Sequence, residues 1–293
     1  MPREKPRFDD EDPRYVKNRH QQVQFDCSDD DVPGGGDRWS TWDLPTAGER
    51  GPQPYPDWLV TELAAVDVEH GVLKTGKEAD VHLLWRGVPD GDRSCLLAAK
   101  RYRDAEHRLF HRDAAYQEGR RVRRSREMRA MRSRTDFGRQ LLAGQWARAE
   151  FEAVGSLWRL GAAVPYPVQI LGTELLLEFI GDPDGTAAPR LAEIPARGSE
   201  LTPLWSQLVD MLVLLARAGL AHADLSSYNL LVHHERLVMI DLPQAVDVIA
   251  NPQGPAFLDR DAVNVATWFS ARGLPAADPQ ALAAVLRAEA GLG

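Results

Sequence analysis

The run LTPLWSQLVDMLVLLARAGLAHADLSSYNLLVHHERLVMIDLPQAV constrains the fold more than any other stretch of the chain. Its first half is apolar enough to be a buried helix. LLV and LVMI follow, two short apolar runs of strand length. Polar residues punctuate them at fixed spacing: Asp224 and Asn229 are five apart, and Asp241 lies twelve beyond Asn229. The VMI strand delivers the Asp241 carboxylate to its C-terminal end.

What precedes this run is strand-like. VEHGVLKTGKEADVHLLWRG has the pattern of a β-hairpin with a Gly-containing turn, and SCLLAAKRYR is a strand that ends at Lys100. QLLAGQWARAEFEAVGSLWRLGAAVPYP reads as a long amphipathic helix with Trp146, Phe151, Val154, Leu157 and Leu160 on its apolar face. PVQILGTELLLEFIG suggests two strands around Gly172, and GDPDGTAAP is a linker. After Asp241, DRDAVNVATWFSARG and DPQALAAVLRAEAGLG read as helices. The expected fold class is therefore α+β, a strand-rich part over 55–180 joined near residue 181 to a helix-rich part over 181–293. Residues 1–50 are rich in Asp, Arg, Pro and Gly and are expected to form a disordered tail, with Trp39, Trp42 and Leu44 as local docking points.

Composition narrows the class of protein. At 44% hydrophobic residues over 293 positions, the chain can build a real core. A net charge of -8 argues against a polyanion binder by bulk charge. Cys27 and Cys95 form no CxxC or Cys/His cluster, so neither a disulfide framework nor a structural zinc site of that type is indicated. The sequence has no apolar stretch of membrane-spanning length and no basic-then-apolar leader, so the expectation is a cytoplasmic protein with no membrane partner.

An aspartate that accepts a hydroxyl proton, with an asparagine five later to hold a divalent cation, is the logic of a phosphoryl-transfer loop. The bland alternative for Asp224 and Asn229 is an Asx turn or a helix cap. Asp241 in turn could bind a metal that bridges phosphates, or merely begin a turn. Lys100 suits nucleotide phosphates and an acid on the next helix; its alternative is a surface lysine on a strand edge. Glu150 is the candidate acid, and Glu152 points about 200° away around a helix. KTGKEA, residues 74–79, is a turn in which Gly76 and Lys77 could approach phosphates, though it matches no standard phosphate-loop pattern. His222 reads as a local positioning residue, and His233 and His234 as surface residues.

Together these stretches resemble the RIO family of atypical protein kinases, its first subfamily without a winged helix. KTGKEADV is similar to the family's phosphate loop, LAAKRY to its strand lysine and LLEFIG to its hinge. HADLSSYN and IDLPQAV are similar to its catalytic and metal-binding loops, and PAFLDRDAVNVATWF to the helix that follows. The resemblance implies a two-lobed kinase fold, with an N-lobe over 55–180 and a reduced C-lobe over 181–293. It implies ATP as substrate and Mg²⁺ or Mn²⁺ held by Asn229 and Asp241. Asp224 would accept the proton, and Asp241 would accept phosphate transiently in an ATPase-like cycle. Lys100 would bind phosphates and pair with Glu150, Lys77 would cover the phosphates, and backbone groups of Glu178 and Ile180 would bind adenine.

Departures are also visible. Lys74 stands where the family usually has serine, and no long peptide-binding segment follows Asp241, so the protein substrate is left unnamed. The Arg-rich stretch 120–134, within a segment over about 105–140, has three readings: a solvated helix, a contact to RNA or the ribosome, or a fold-back on the acidic tail. Two other functions compete with a kinase/ATPase. One is an aminoglycoside-type small-molecule phosphotransferase, which also uses HxDxxxxN. The other is a nucleotide-binding RNA scaffold.

Overall fold

The computed structural model describes residues 34–103 and 136–292. The Arg-rich stretch 120–134 lies outside them, as do residues 1–33 of the expected tail.

Strand β4 (Ser94–Tyr102) shows how the sequence makes a sheet. Cys95, Leu97 and Ala99 are buried in one cluster, and Tyr102 joins another on the opposite face, the alternation of a pleated strand. Around β4 stand β1 (Arg38–Trp39), β2 (Val66–Thr75), β3 (Ala79–Gly87), β5 (Pro167–Leu171) and β6 (Glu174–Glu178). Their order is β1-β2-β3-β4-β6-β5, and all neighbours are antiparallel. The sheet curls, because residues of non-neighbouring strands meet. Arg86 on β3 donates to Gln169 on β5 at 3.2 Å, and Arg38 on β1 donates to Glu174 on β6 at 2.8 Å. Arg86 also holds its cross-strand partner Asp67 through two hydrogen bonds, 2.7 and 3.1 Å, with both side chains buried. Removing one partner of such a pair costs about 3–5 kcal/mol, since the other charge is left in the core.

Residues 34–50 correct the expectation of an unpacked tail reaching residue 50. Trp42 is buried with Leu59, Val60 and Ala65 on the β4 face that carries Leu97 and Ala99. The arm also extends the sheet edge: Gly51 N–H donates to Val168 C=O and Ile170 N–H to Glu49 C=O, both at 2.9 Å. A Cβ at Gly51 would lie 2.0 Å from the Pro167 carbonyl oxygen, so only glycine permits that approach. The Gln169 amide donates to the Thr41 carbonyl at 3.0 Å. Low average hydrophobicity therefore hides a few anchors, each worth about 1.5–3 kcal/mol when buried.

Helix α1 (Asp136–Arg159) covers the other face of the sheet. Its Ala143, Ala147 and Phe151 pack with Tyr102, Ile170 and Leu175. One turn further on, Val154 and Leu157 enter the core of the second half. One helix thus joins both cores. The second half contains α2 (Thr202–Arg217), α3 (Gly254–Ala271) and α4 (Pro279–Glu289). Short strands lie among them: β7 (Leu220–Ala221) pairs with β10 (Val246–Asp247), and β8 (Leu230–His233) with β9 (Arg236–Met239). In α2 the buried residues Leu204, Leu208, Met211, Leu212 and Leu215 recur at helical spacing. No helix among the described residues is long and apolar enough to cross a membrane.

Candidate active site

Lys100 lies on the β4 face that α1 covers, and its ammonium is held between two carboxylates. Its Nζ is 2.8 Å from Glu150 on α1 and 2.7 Å from Asp241 Oδ1. Glu150 is buried and fully engaged: Tyr102 donates its hydroxyl to it, and Leu242 N–H donates at 3.2 Å. Glu152 faces solvent and pairs with Arg148. Burial works against the charge on Lys100, but Glu150 and Asp241 outweigh it and raise the ammonium above its ordinary value. At Asp241 burial alone would push the carboxyl up; Lys100, then Lys74 and His222, reverse this and hold it at about 2. Tyr102 is pushed well up, by burial and then by the Glu150 charge.

The loop after β7 is held from below. Ala223 has a left-handed backbone, φ +67°, which an L-residue adopts at a cost of about 1–2 kcal/mol. Asp261 on α3 fixes it there, accepting Ala223 N–H at 2.7 Å and Leu225 N–H at 3.0 Å. Arg260 donates to the Ala223 carbonyl, and Asn264 to the Leu225 carbonyl at 3.2 Å. Burial raises the Asp261 carboxyl, while His222 and the two N–H donors pull it down. His222 Nδ1 lies 3.4 Å from the Asp224 N–H nitrogen, and its Nε2 faces the Ile240 carbonyl at 3.1 Å. The imidazole thereby ties the loop to the residue before Asp241. Asn229 Nδ2 donates to the Asp224 carbonyl at 2.9 Å, which leaves Oδ1 as the atom it offers to a cation. Ile240 N–H donates to the Asn229 carbonyl at 2.9 Å, bringing Asn229 beside the Asp241 segment.

The KTGKEA stretch is a tight turn between β2 and β3. Gly76 N–H donates to Ala79 C=O at 2.9 Å, and a Cβ on Gly76 would approach that oxygen to 2.8 Å. Glu78 in this turn is raised by burial, and then by the negative charges of Asp241 and Asp224, with Lys100 and Lys77 opposing. The turn, the Asp224 loop and Asp241 therefore share one electrostatic neighbourhood. Lys74 is lowered by desolvation and by Arg190, while Asp241 acts the other way. At the end of β6, Glu178 N–H donates to Tyr166 C=O at 2.8 Å, and the Glu178 carboxylate accepts Tyr166 N–H at 2.9 Å. A regular antiparallel pair would send that N–H to the Glu178 carbonyl, so the side chain releases the carbonyl from the ladder. Ile180 C=O accepts Ala188 N–H at 3.0 Å.

Asp261, Arg260 and Asn264 match none of the spacings that single out the other site residues. A signal was present: Asp261 shares the buried stripe of Leu258, Ala262, Val265 and Phe269, and a carboxylate there must find partners.

A curled sheet whose lysine pairs with a helix glutamate, set over a helical half with an Asp…Asn loop and a second Asp, defines a two-lobed protein-kinase-like α+β fold. The Rio2 kinase–ADP/Mg²⁺–phosphoaspartate complex from Chaetomium thermophilum is similar in fold, with a TM-score of 0.53 and 19% identity over 77% of this chain and 66% of that one. A family model described as the RIO domain matches residues 98–282, and the chain belongs to the RIO family. It is 35% identical over 212 residues to the RIO-type serine/threonine-protein kinase Rio1 of Haloferax volcanii, covering 72% of this chain and 66% of the relative. It is 29% identical over 236 residues to the serine/threonine-protein kinase RIO1 of Saccharomyces cerevisiae, covering 74% and 46%. The chain thus spans about half to two thirds of the length of these relatives.

Proposed function

We propose that the chain is a RIO-type atypical serine/threonine-protein kinase and ATPase, moving the γ-phosphate of ATP to a protein hydroxyl or transiently to Asp241. The observation that carries the reading is the Lys100 ammonium, held at 2.8 and 2.7 Å between Glu150 and Asp241. A cation fixed by a buried partner is available to phosphate oxygens without reorganising. Asp224 accepts the proton of the attacking hydroxyl. In the transient route an Asp241 oxygen attacks the γ-phosphorus, the bond to the β-phosphate oxygen breaks, and ADP leaves. Water then hydrolyses the acyl phosphate to inorganic phosphate and restores the carboxylate. The name of the C. thermophilum complex, with its phosphoaspartate, favours that route. The low pKa of Asp241, about 2, keeps its carboxylate ionised as a nucleophile.

Asn229 and Asp241 present hard oxygen donors, which fit Mg²⁺ or Mn²⁺. Such an ion would neutralise phosphate charge. Lys77 in the β2–β3 turn would cover the phosphates. Adenine is read by the released Glu178 carbonyl and by Ile180 N–H, since Glu178 N–H and Ile180 C=O already have partners. The setting is cytoplasmic, and the arginines of 120–134 would suit a contact to RNA or the ribosome, beside the readings as a solvated helix or a fold-back on the acidic tail.

Radiolabelled ATP tests this, with phosphate release and self-labelling followed side by side on the purified chain. Asp224→Ala is expected to lower transfer to hydroxyls by about 10²–10⁴. Asp241→Asn is expected to abolish both phosphate release and hydroxylamine-sensitive labelling. Turnover unchanged in both variants sinks the reading. Phosphorylation of aminated sugars without any protein labelling replaces it by the small-molecule one.

A further inference from the structure

Apart from the site above, one group of potential metal ligands stands out among the described residues: Asp182, His233 and His234. Asp182 lies four residues beyond the end of β6, and the two histidines lie at the tip of the β8–β9 hairpin. His233 pairs with Arg236, so His234 and Glu235 form a two-residue hairpin loop. Their φ angles are +47° and +62°. Such loops need positive φ at both central residues and normally use Asn-Gly or other glycine pairs. Histidine tolerates this region better than most residues, and glutamate does not. The turn is therefore held against local preference.

Its effect is to stack both imidazoles over one carboxylate. The rings lie 4.0 Å apart at 38°. His233 Nε2 is 3.3 Å and His234 Nε2 is 3.7 Å from the same oxygen, Asp182 Oδ1. The three ligand atoms all lie within 4.8 Å of one another. Ligands about 2.0–2.1 Å from a tetrahedral centre sit about 3.3–3.4 Å apart, so the donors need only small rotations. Two imidazole nitrogens and one carboxylate oxygen suit a borderline ion such as Zn²⁺, whereas Mg²⁺ and Mn²⁺ take oxygen sets. Asp182 is 50% and His234 77% exposed, which gives the ion a route in and a fourth position for water.

We propose that Asp182, His233 and His234 bind a zinc-class divalent transition metal ion, which fastens the segment after β6 to the β8–β9 hairpin. These two segments flank Glu178 and the strand that leaves Asn229, so the ion stiffens the frame of the cleft. The inference stands independently of the proposed reaction.

Calorimetry tests it by titrating Zn²⁺ into the full chain, free of any histidine tag, with Mg²⁺ in excess. One Zn²⁺ per chain is expected. His233→Ala and His234→Ala should each weaken it about tenfold or more. Asp241→Asn should leave it unchanged, and Co²⁺ in place of Zn²⁺ should show the visible absorption of a four-coordinate site. His234 is exposed, so its variant keeps the fold and the comparison stays readable. Absent Zn²⁺ binding, or binding equal in the wild type and the His233→Ala/His234→Ala double variant, overturns the proposal. So does binding lost in Asp241→Asn but kept in the double variant.

Discussion

Lys100 holds two carboxylates at once, and each depends on it differently. Glu150 is buried and keeps the Tyr102 and Leu242 donors if the lysine is lost. Asp241 is partly exposed, and burial and Lys100 pull its carboxyl in opposite directions. Its folded value of about 2 lies below the ordinary aspartate value of about 3.9. The stability this contributes is complete above that ordinary value, and is lost as pH falls through about 2. In Lys100→Met the burial remains and the opposing charge goes. The Asp241 carboxyl is then expected to titrate well above its wild-type value, measured by carbon NMR of the side-chain carboxyls. An Asp241 titration that stays near 2 in the variant would contradict this account of its charge. Urea unfolding of the same variant should show a loss of about 3–5 kcal/mol, because Glu150 stays buried without its cation.

Among the elements, α3 acts on the chemistry indirectly, through the backbone of Ala223 and Leu225. Asp261→Ala leaves the Ala223 and Leu225 N–H groups without acceptors, at about 1–3 kcal/mol each. Ala223 can then leave its left-handed conformation and take Asp224 with it. The expected outcome is a large fall in kcat with a smaller change in KM. Asp261→Asn retains one acceptor oxygen and should recover part of the loss. Equal falls in kcat and stability for Ala and Asn would mean that Asp261 acts only as a core residue. The helix itself is legible in the sequence, since Leu258, Ala262, Val265 and Phe269 recur with its period. The task of Asp261 is not, because its partners lie 36 and 38 residues away and nothing local encodes them. Lys100, Glu150 and Asp241 are more legible. Each ends or faces an apolar run whose period fixes where its side chain points. The turn of β8–β9 is less so, because His234 and Glu235 are not the residues that such a turn ordinarily announces.

On the scale of the molecule, the curled sheet depends on contacts that no local pattern could reveal. Arg86 reaches Gln169 across 83 positions, and Arg38 reaches Glu174 across 136. The arm over 34–50 departs from the expectation for the same reason, as its anchor Trp42 sits in a polar, Pro- and Gly-rich background. A fragment beginning at residue 98, where the family match starts, would cut into β4 and discard β1, β2 and β3. It is expected to aggregate in size-exclusion chromatography under conditions where the full chain runs as one species. A monodisperse fragment with native circular dichroism would refute this.

The nine-residue pairing of β3 with β4 has a wider consequence. The stretch that the family model matches, residues 98–282, and the stretch that can hold itself together have different borders. Swapping signatures between relatives at the former would transplant reacting groups without the walls that keep them apart.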